Sequence, residues 1–263
     1  MLHIKLALMA VFWSGVFPAV NIVLKSMGEI SSVFLRFSAA AVILLALLWL
    51  REGRLRRLSP RESVLVVVLG LFGITLYNSL FTAGLARVEA SRASLIVPTN
   101  PAFTALFAVL FLRERLSAAR AAGIALCVAG ALWVLARGEP RTLLGRVALS
   151  SLSPLALTAY VMAAGALPTA IPAWFENEAF ARVTWQSWAA LGYLVVFGTV
   201  IPFLWFYEGV KALGAARASQ FINLVPPLAV TASILILGEA FTPALLVGAA
   251  LVIAGLYLTN KPK

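Results

Sequence analysis

The stretch ASLIVPTNPAFTALFAVLFLRE, Ala93 to Glu114, decides the fold. It is apolar and about one bilayer long at ~1.5 Å of rise per residue, with Pro98 and Pro101 near its middle. The pattern returns as ASQFINLVPPLAVTASILILGE, Ala218 to Glu239, with Pro226 and Pro227 at the corresponding break. One shift of 125 positions aligns the two copies and their flanks. It pairs Gly73 with Gly198, Gly84 with Gly209, Arg92 with Arg217, Pro101 with Pro226 and Glu114 with Glu239, and continues through Gly123 with Gly248 and Gly130 with Gly255. No gap is needed anywhere along this register. A period this long exceeds the roughly 20–50 residues of a solenoid unit. Two membrane-embedded halves, each a helical bundle, is the reading it supports.

Composition agrees. Hydrophobic residues make up 62% of the chain and charged residues 12%, against about 45–50% and 25% in soluble domains. This is the composition of an integral membrane protein. The net charge of +11 does not point to nucleic acid, because the basic residues sit in short breaks between apolar runs, where they act as topology signals. One cysteine, Cys127, and one histidine, His3, exclude a disulfide framework or a His/Cys metal cluster within the chain. No metal and no cofactor is expected. The opening MLHIK leads into an apolar run without a small-residue cleavage site, so it reads as a retained first span.

Taken in order, span 1 covers roughly Leu6 to Leu24 and span 2 roughly Ile30 to Leu50, followed by a basic loop holding Arg51, Arg54, Arg56, Arg57 and Arg61. Span 3 opens on Ser59-Pro60-Arg61-Glu62, a capping box with proline at the first helical position, and runs to about Ala86. Span 4 is the opening stretch, and span 5 covers about Ala118 to Ala136. In the second half, spans are expected from Ser153-Pro154 to about Pro172, from about Trp188 to Val210, from Ala218 to Glu239 and from Thr242-Pro243 to about Leu258. Trp174, Trp185 and Trp188 mark a membrane interface.

Five spans in one half and four in the other is uneven for a duplicated chain. Shifting span 1 by 125 lands on the end of span 5 and the polar run RGEPRTLLGR, which is too short and too charged for another membrane helix. With the missing span restored and the N-terminus in the cytoplasm, basic residues favour the inner side by about two to one; without it the two sides balance. The expectation is therefore a ten-helix, all-α plan, residues 1–141 forming the first repeat and 142–263 the second. The sixth helix is absent from the sequence near residues 141–146. Five helices per repeat is an odd number, so the halves insert in opposite senses, as in transporters that open a central site to each side alternately.

The segments FWSGVFPAVNIVLK in span 1 and FLRFSAAAVILL in span 2, with the paired AS…P…E blocks, resemble the drug/metabolite transporter superfamily in its EamA-type ten-helix branch. The resemblance covers nearly the whole chain. It implies ten helices, both termini in the cytoplasm of a cell inner membrane protein, and a central cavity lined by both halves. It also implies export of amino acids or related metabolites, aromatic amino acids among them. The sixth helix is where this chain departs from the pattern.

Polar groups at membrane depth are costly unless they pair or face a cavity. The candidates for substrate binding are Trp13, Ser14 and Asn21 in span 1, Tyr77 and Asn78 in span 3, Asn100 and Asn223 beside the proline breaks, and Tyr160, Trp205 and Tyr207 as aromatic walls. Each has a plainer alternative in helix packing or interfacial anchoring. Pro98, Pro101, Pro226 and Pro227 remove backbone donors, either exposing carbonyls such as those of Val97 and Asn223 or kinking the bundle. Glu208, the acidic residue inside a span, is a candidate proton-coupling site or the partner of Lys211. Arg36 either binds an anion or extends to the interface.

The expected function is a secondary transporter exporting small amphipathic metabolites, amino acids foremost, as a monomer or homodimer in the lipid bilayer. A cavity with few fixed charges suits zwitterions better than sugar phosphates. Efflux of lipophilic cations is the alternative, disfavoured because span 1 has no acidic residue. No HExxH, no nucleophile with a histidine partner and no paired carboxylates within a span point to an enzyme.

Overall fold

The computed structural model describes residues 1–53, 55–96, 153–176, 180–214, 218 and 220–240, and every regular element among them is helical. Five helical stretches are long and apolar enough to cross a membrane: Leu2–Val23, Glu29–Glu52, Pro60–Leu85, Leu155–Phe175 and Trp185–Leu213. A shorter apolar one covers Phe221–Leu237. These coincide with the expected spans 1, 2 and 3 and the first three of the second half. The remainder of span 4 with Pro98, Asn100 and Pro101, span 5, the last span and the 141–146 region lie outside the described residues.

Span 1 consists of α1 (Leu2–Ser14) and α2 (Val16–Val23). Pro18 supplies no N–H to the Ser14 carbonyl, which accounts for the interruption at Gly15. Span 2 is the continuous α3 (Glu29–Glu52). Span 3 is α4 (Pro60–Gly70), a π-helical turn at Leu71–Leu76 and α5 (Tyr77–Leu85). Its capping box forms as expected: Glu62 N–H donates to Ser59 Oγ at 3.3 Å and Ser59 N–H to Glu62 Oε2 at 2.8 Å. Then come α6 (Ala90–Ile96), which starts span 4, and α7 (Pro154–Phe175). The next span is α8 (Trp185–Val195), a second π-helical turn at Val196–Val200 and α9 (Ile201–Leu213). A 3-10 turn at Phe221–Leu224 leads into α10 (Val225–Leu237).

The two π-helical turns obey the same 125-residue register as the sequence, Leu71 matching Val196. A π-turn places one extra residue in a helical turn and loosens its backbone bonding. The duplication is thus visible in a backbone irregularity as well as in residue identities.

Helix ends give the orientation of the halves. Helices α3 and α7 are repeat mates and pack along each other in opposite directions. Glu52, the last residue of α3, accepts a hydrogen bond from the hydroxyl of Ser153, the N-cap of α7, at 2.7 Å. Glu176, just past α7, accepts the N–H groups of Ile30 and Ser31 in the first turn of α3 at 2.8 and 2.6 Å. First-turn N–H groups have no partner within their own helix, and the helix dipole favours a carboxylate there. The proline-bearing segments repeat the motif: Glu239, past the end of α10, accepts from the N–H groups of Ala90 and Ser91 at the start of α6, at 2.8 and 2.9 Å. Mated helices run antiparallel, so the repeat is inverted.

Small residues bring the halves into close contact. A Cβ added to Gly70 of α4 would lie 2.7 Å from the backbone nitrogen of Gly165 in α7, and Thr75 donates to the Gly165 carbonyl at 2.6 Å. Two apolar cores result. One joins α3, α4, α7 and the second π-turn through Phe37, Leu44, Leu157 and Met162. The other joins spans 1, 3 and 4 to α8 and α10 through Phe17, Val20, Leu85, Leu191 and Ala229.

The two halves differ in one respect. Gly198 and Gly209 are filled by span 1: an added Cβ would meet Val16 at 3.0 Å and Leu6 at 2.7 Å. At their repeat mates Gly73 and Gly84 nothing among the described residues lies within 4 Å. The neighbouring Phe72 and Leu80 are 56% and 51% exposed. Among the described residues, none occupies the face of span 3 that corresponds to the seat of span 1.

Candidate functional site

Arg36 anchors the site. It lies in α3, two turns from the helix start, and is 6% exposed. Of the two alternatives for Arg36, extension to the interface is not the one seen. Its side chain turns inward to the second half, where Nε donates to Thr199 Oγ1 at 2.8 Å and a terminal nitrogen donates to the Gly198 carbonyl at 3.1 Å. Both acceptors belong to the π-turn; Pro202, four residues on, has no N–H to offer the Gly198 carbonyl, and the glycine permits the approach. The Thr199 hydroxyl donates its own hydrogen bond to the Leu194 carbonyl at 2.8 Å, which leaves its oxygen lone pairs to accept from Arg36. The guanidinium also lies 4.9 Å from the centre of the Phe37 ring, and Tyr77 of span 3 is close enough to interact with its charge.

Four spans therefore meet at this point: span 1 through Val16, span 2 through Arg36, span 3 through Tyr77, and the second half through Gly198 and Thr199. It sits at the seam of the two cores, since Phe37 belongs to one and its near neighbour Leu35 packs on the other. No carboxylate pairs with Arg36 among the described residues. A buried cation held only by neutral acceptors is suited to receive an anion.

The other candidates disperse. Tyr77 stacks on Phe81 at 5.8 Å between ring centres, and Phe81 meets Phe17 edge-on at 5.4 Å, an aromatic row that joins span 3 to span 1. Asn78 is buried, but its amide donates back to the Ile74 carbonyl at 3.0 Å, so that donor serves its own helix rather than a cavity. Ser14 does the same toward the Val11 carbonyl at 2.6 Å. Asn21 is half-buried near the C-terminal end of span 1. Trp13 packs between Phe203 and Phe206, and Trp205 stacks on Phe12. Tyr207 contacts Phe203 and Phe206.

Of the aromatic walls expected from Trp13, Tyr160, Trp205 and Tyr207, Tyr160 donates its hydroxyl to the Arg56 carbonyl at 2.9 Å, at the loop end of the bundle, and packs on the same apolar core as Tyr207. Asn223 is exposed on the 3-10 turn. Pro226 and Pro227 open α10 behind that turn instead of kinking a continuous helix, and Thr231 takes up the Pro227 carbonyl at 2.9 Å. Glu208 pairs with Lys5 of span 1 at 2.8 Å, across the two halves; Lys211 is not its partner. Separately, an open crevice of about 350 Å³ lies between α2, α8 and α10, lined by residues such as Pro18, Ile22, Trp185 and Tyr193. It contains none of the candidate residues and is almost entirely apolar.

The sequence reading missed Thr199, Gly198 and Lys5. Gly198 carried a signal, being the mate of Gly73, and Thr199 is a polar residue beside it in an apolar span. The sequence held no indication of a π-turn.

Comparison with known proteins agrees with this architecture. The model of a family described as "EamA-like transporter family" matches twice, over residues 2–136 and 141–261. A probable terminal-alkyne amino-acid exporter of Streptantibioticus cattleyicolor is 31% identical over 97% of this chain and 92% of its own length. The uncharacterized transporter YyaM of Bacillus subtilis is 27% identical over 97% of this chain and 92% of its own, in an alignment of 280 residues. That alignment is longer than this 263-residue chain, so the relative carries residues with no counterpart here. A solved crystal structure superposes with a TM-score of 0.64 over 97% of this chain and 96% of that one at 19% identity, a likeness of fold.

Proposed function

The chain belongs to the EamA-like transporter family, and from that premise we propose that it exports amino acids or closely related small amphipathic metabolites by alternating access. Transport across a membrane follows from the family and the apolar spans; the cargo and the mode are the proposal. The observation that carries it is the reciprocal antiparallel pairing of α3 with α7, each helix end tied by a glutamate to the start of its mate. Halves related in this way can exchange conformations, opening the seam between them to one side and then the other. The cargo is suggested by the relative named as a probable amino-acid exporter.

In this reading the protein is a multi-pass protein of the cell inner membrane with both termini in the cytoplasm. The Lys5, Arg56 and Ser153 ends of the helices lie inside, and Ser26, Arg87 and Glu176 lie outside. Residues 1–141 and 142–263 form the two repeats. In this reading the second lacks the helix that matches span 1; in support, no described residue lies within 4 Å of a Cβ added at Gly73 or Gly84, and a relative carries residues with no counterpart here. Glu208 is the candidate for coupling to protons, through its cross-half pair with Lys5.

The test is efflux from proteoliposomes loaded with radiolabelled amino acids, with and without a proton gradient. Export of at least one amino acid above empty liposomes supports the reading. Retention of all of them, threonine and tryptophan included, overturns it.

A further inference from the structure

We propose that Arg36 is the carboxylate subsite of this transporter, and that a bound carboxylate takes the guanidinium away from the π-turn that ties the two halves together. This rests on the export reading above and names the chemical group that the site selects: a free carboxylate on a molecule with an apolar or aromatic remainder.

Three observations converge. First, Arg36 is buried at membrane depth, where a cation is costly and persists for a function. Its acceptors, the Gly198 carbonyl and the Thr199 hydroxyl, are both neutral. The bonds to these acceptors already have an ionised donor; a carboxylate adds the attraction of a full opposite charge and can bind the guanidinium bidentately. A carboxylate arriving at this point therefore competes with the neutral carbonyl and hydroxyl.

Second, the arginine breaks the internal symmetry. Its mate in α7, at the 125-residue shift, is Val161, packed in the apolar core. Elsewhere the duplication keeps glycines, glutamates and the π-turns in register. The mate of the second π-turn, at Leu71–Leu76, meets α7 through Thr75 and the Gly165 carbonyl, with no charge involved. The helix packing therefore does not require a cation at this place.

Third, Arg36 and its acceptors lie on opposite halves. Freeing Gly198 and Thr199 removes a polar tie across the surface that has to move in alternating access. The Phe37 ring, 4.9 Å from the guanidinium, with the stacked Tyr77 and Phe81 of span 3, supplies the surface for the apolar part of the cargo.

The experiment uses the full chain in detergent and in proteoliposomes. The probes are phenylalanine and propargylglycine, each beside its own methyl ester, which keeps the amine and removes the anionic carboxylate. Thermal unfolding reports binding, and efflux reports transport. The proposal expects the acids, and not the esters, to raise the melting temperature of the wild type. It expects Arg36→Gln to weaken that protection at least tenfold and Arg36→Lys to restore part of it. Thr199→Val, which removes only the neutral acceptor, keeps the preference for acids and shows that a folded protein with an altered node still selects the carboxylate.

Equal protection by acids and esters, or undiminished acid protection in Arg36→Gln, overturns the subsite while leaving the export reading intact. Acid-selective protection without efflux of any amino acid upholds the subsite and overturns export. Absence of both acid protection and efflux overturns the two together.

Discussion

At the scale of single residues, the charged groups of the bundle play distinct roles. Glu208 and Lys5 are 43% and 41% exposed in their side chains, so their ion pair is solvated and contributes about 1 kcal/mol or less. Lys5→Glu places two acidic groups together and lowers the melting temperature slightly, while the exchange Lys5→Glu with Glu208→Lys restores it. A double-mutant cycle in thermal unfolding checks this, and additive effects in the cycle would show the pair to be incidental. If Glu208 couples export to protons, Glu208→Gln abolishes the effect of a pH gradient on efflux and leaves the melting temperature nearly unchanged.

Residue-level legibility was partial for a physical reason. Arg36 and Glu208 stood out because charges are rare at membrane depth. Their partners did not, because Thr199, Gly198 and Lys5 come together only through the packing of distant spans. Asn78 and Ser14 looked like cavity groups, yet their side-chain donors return to carbonyls of their own helix, an outcome that composition alone does not distinguish.

At the scale of helices, the end contacts are the strongest sequence-encoded device. Glu239→Gln keeps the shape of the cap and removes the charge opposite the dipole of α6, whereas Glu239→Ala leaves two first-turn N–H groups without their acceptor. The loss of such a cap costs about 0.5–2 kcal/mol. The expected order of thermal stability is wild type, then Gln, then Ala, and equal stability of all three would show the contact to be dispensable.

Glycine positions give a sharper comparison. Gly209→Leu forces a side chain against the fully buried Leu6 and destabilises by about 1–3 kcal/mol. The same change at its mate, Gly84→Leu, meets no described residue within 4 Å and is expected to leave stability within about 0.5 kcal/mol. Unfolding of the two variants in the same detergent checks this; equal losses would mean that the seat on span 3 is filled. The spans and the capping box of span 3 were legible because apolar length and Ser-Pro-Arg-Glu are local signals. The π-turns were not, since a one-residue bulge has no composition of its own. The prolines at 226 and 227 indicated a break but not its form, a 3-10 turn before a new helix.

At the scale of the whole molecule, the account stands on two halves inserted in opposite senses. The duplication was legible from a constant 125-residue register, and its inversion from an odd count of spans per repeat. The structure adds the reason the inversion holds: α3 and α7 are fastened end to end by Glu52 with Ser153 and by Glu176 with Ile30 and Ser31. These contacts place Lys25 and Arg182 on one side of the membrane and Arg57 and Lys211 on the other.

Single cysteines at these four positions, in a Cys127→Ser background, report their side by labelling of intact cells with a membrane-impermeant maleimide. The account predicts that Lys25→Cys and Arg182→Cys label from outside and that Arg57→Cys and Lys211→Cys label only after the membrane is opened. Labelling of Lys25→Cys and Arg182→Cys from opposite sides would contradict it, because the halves would then share one orientation.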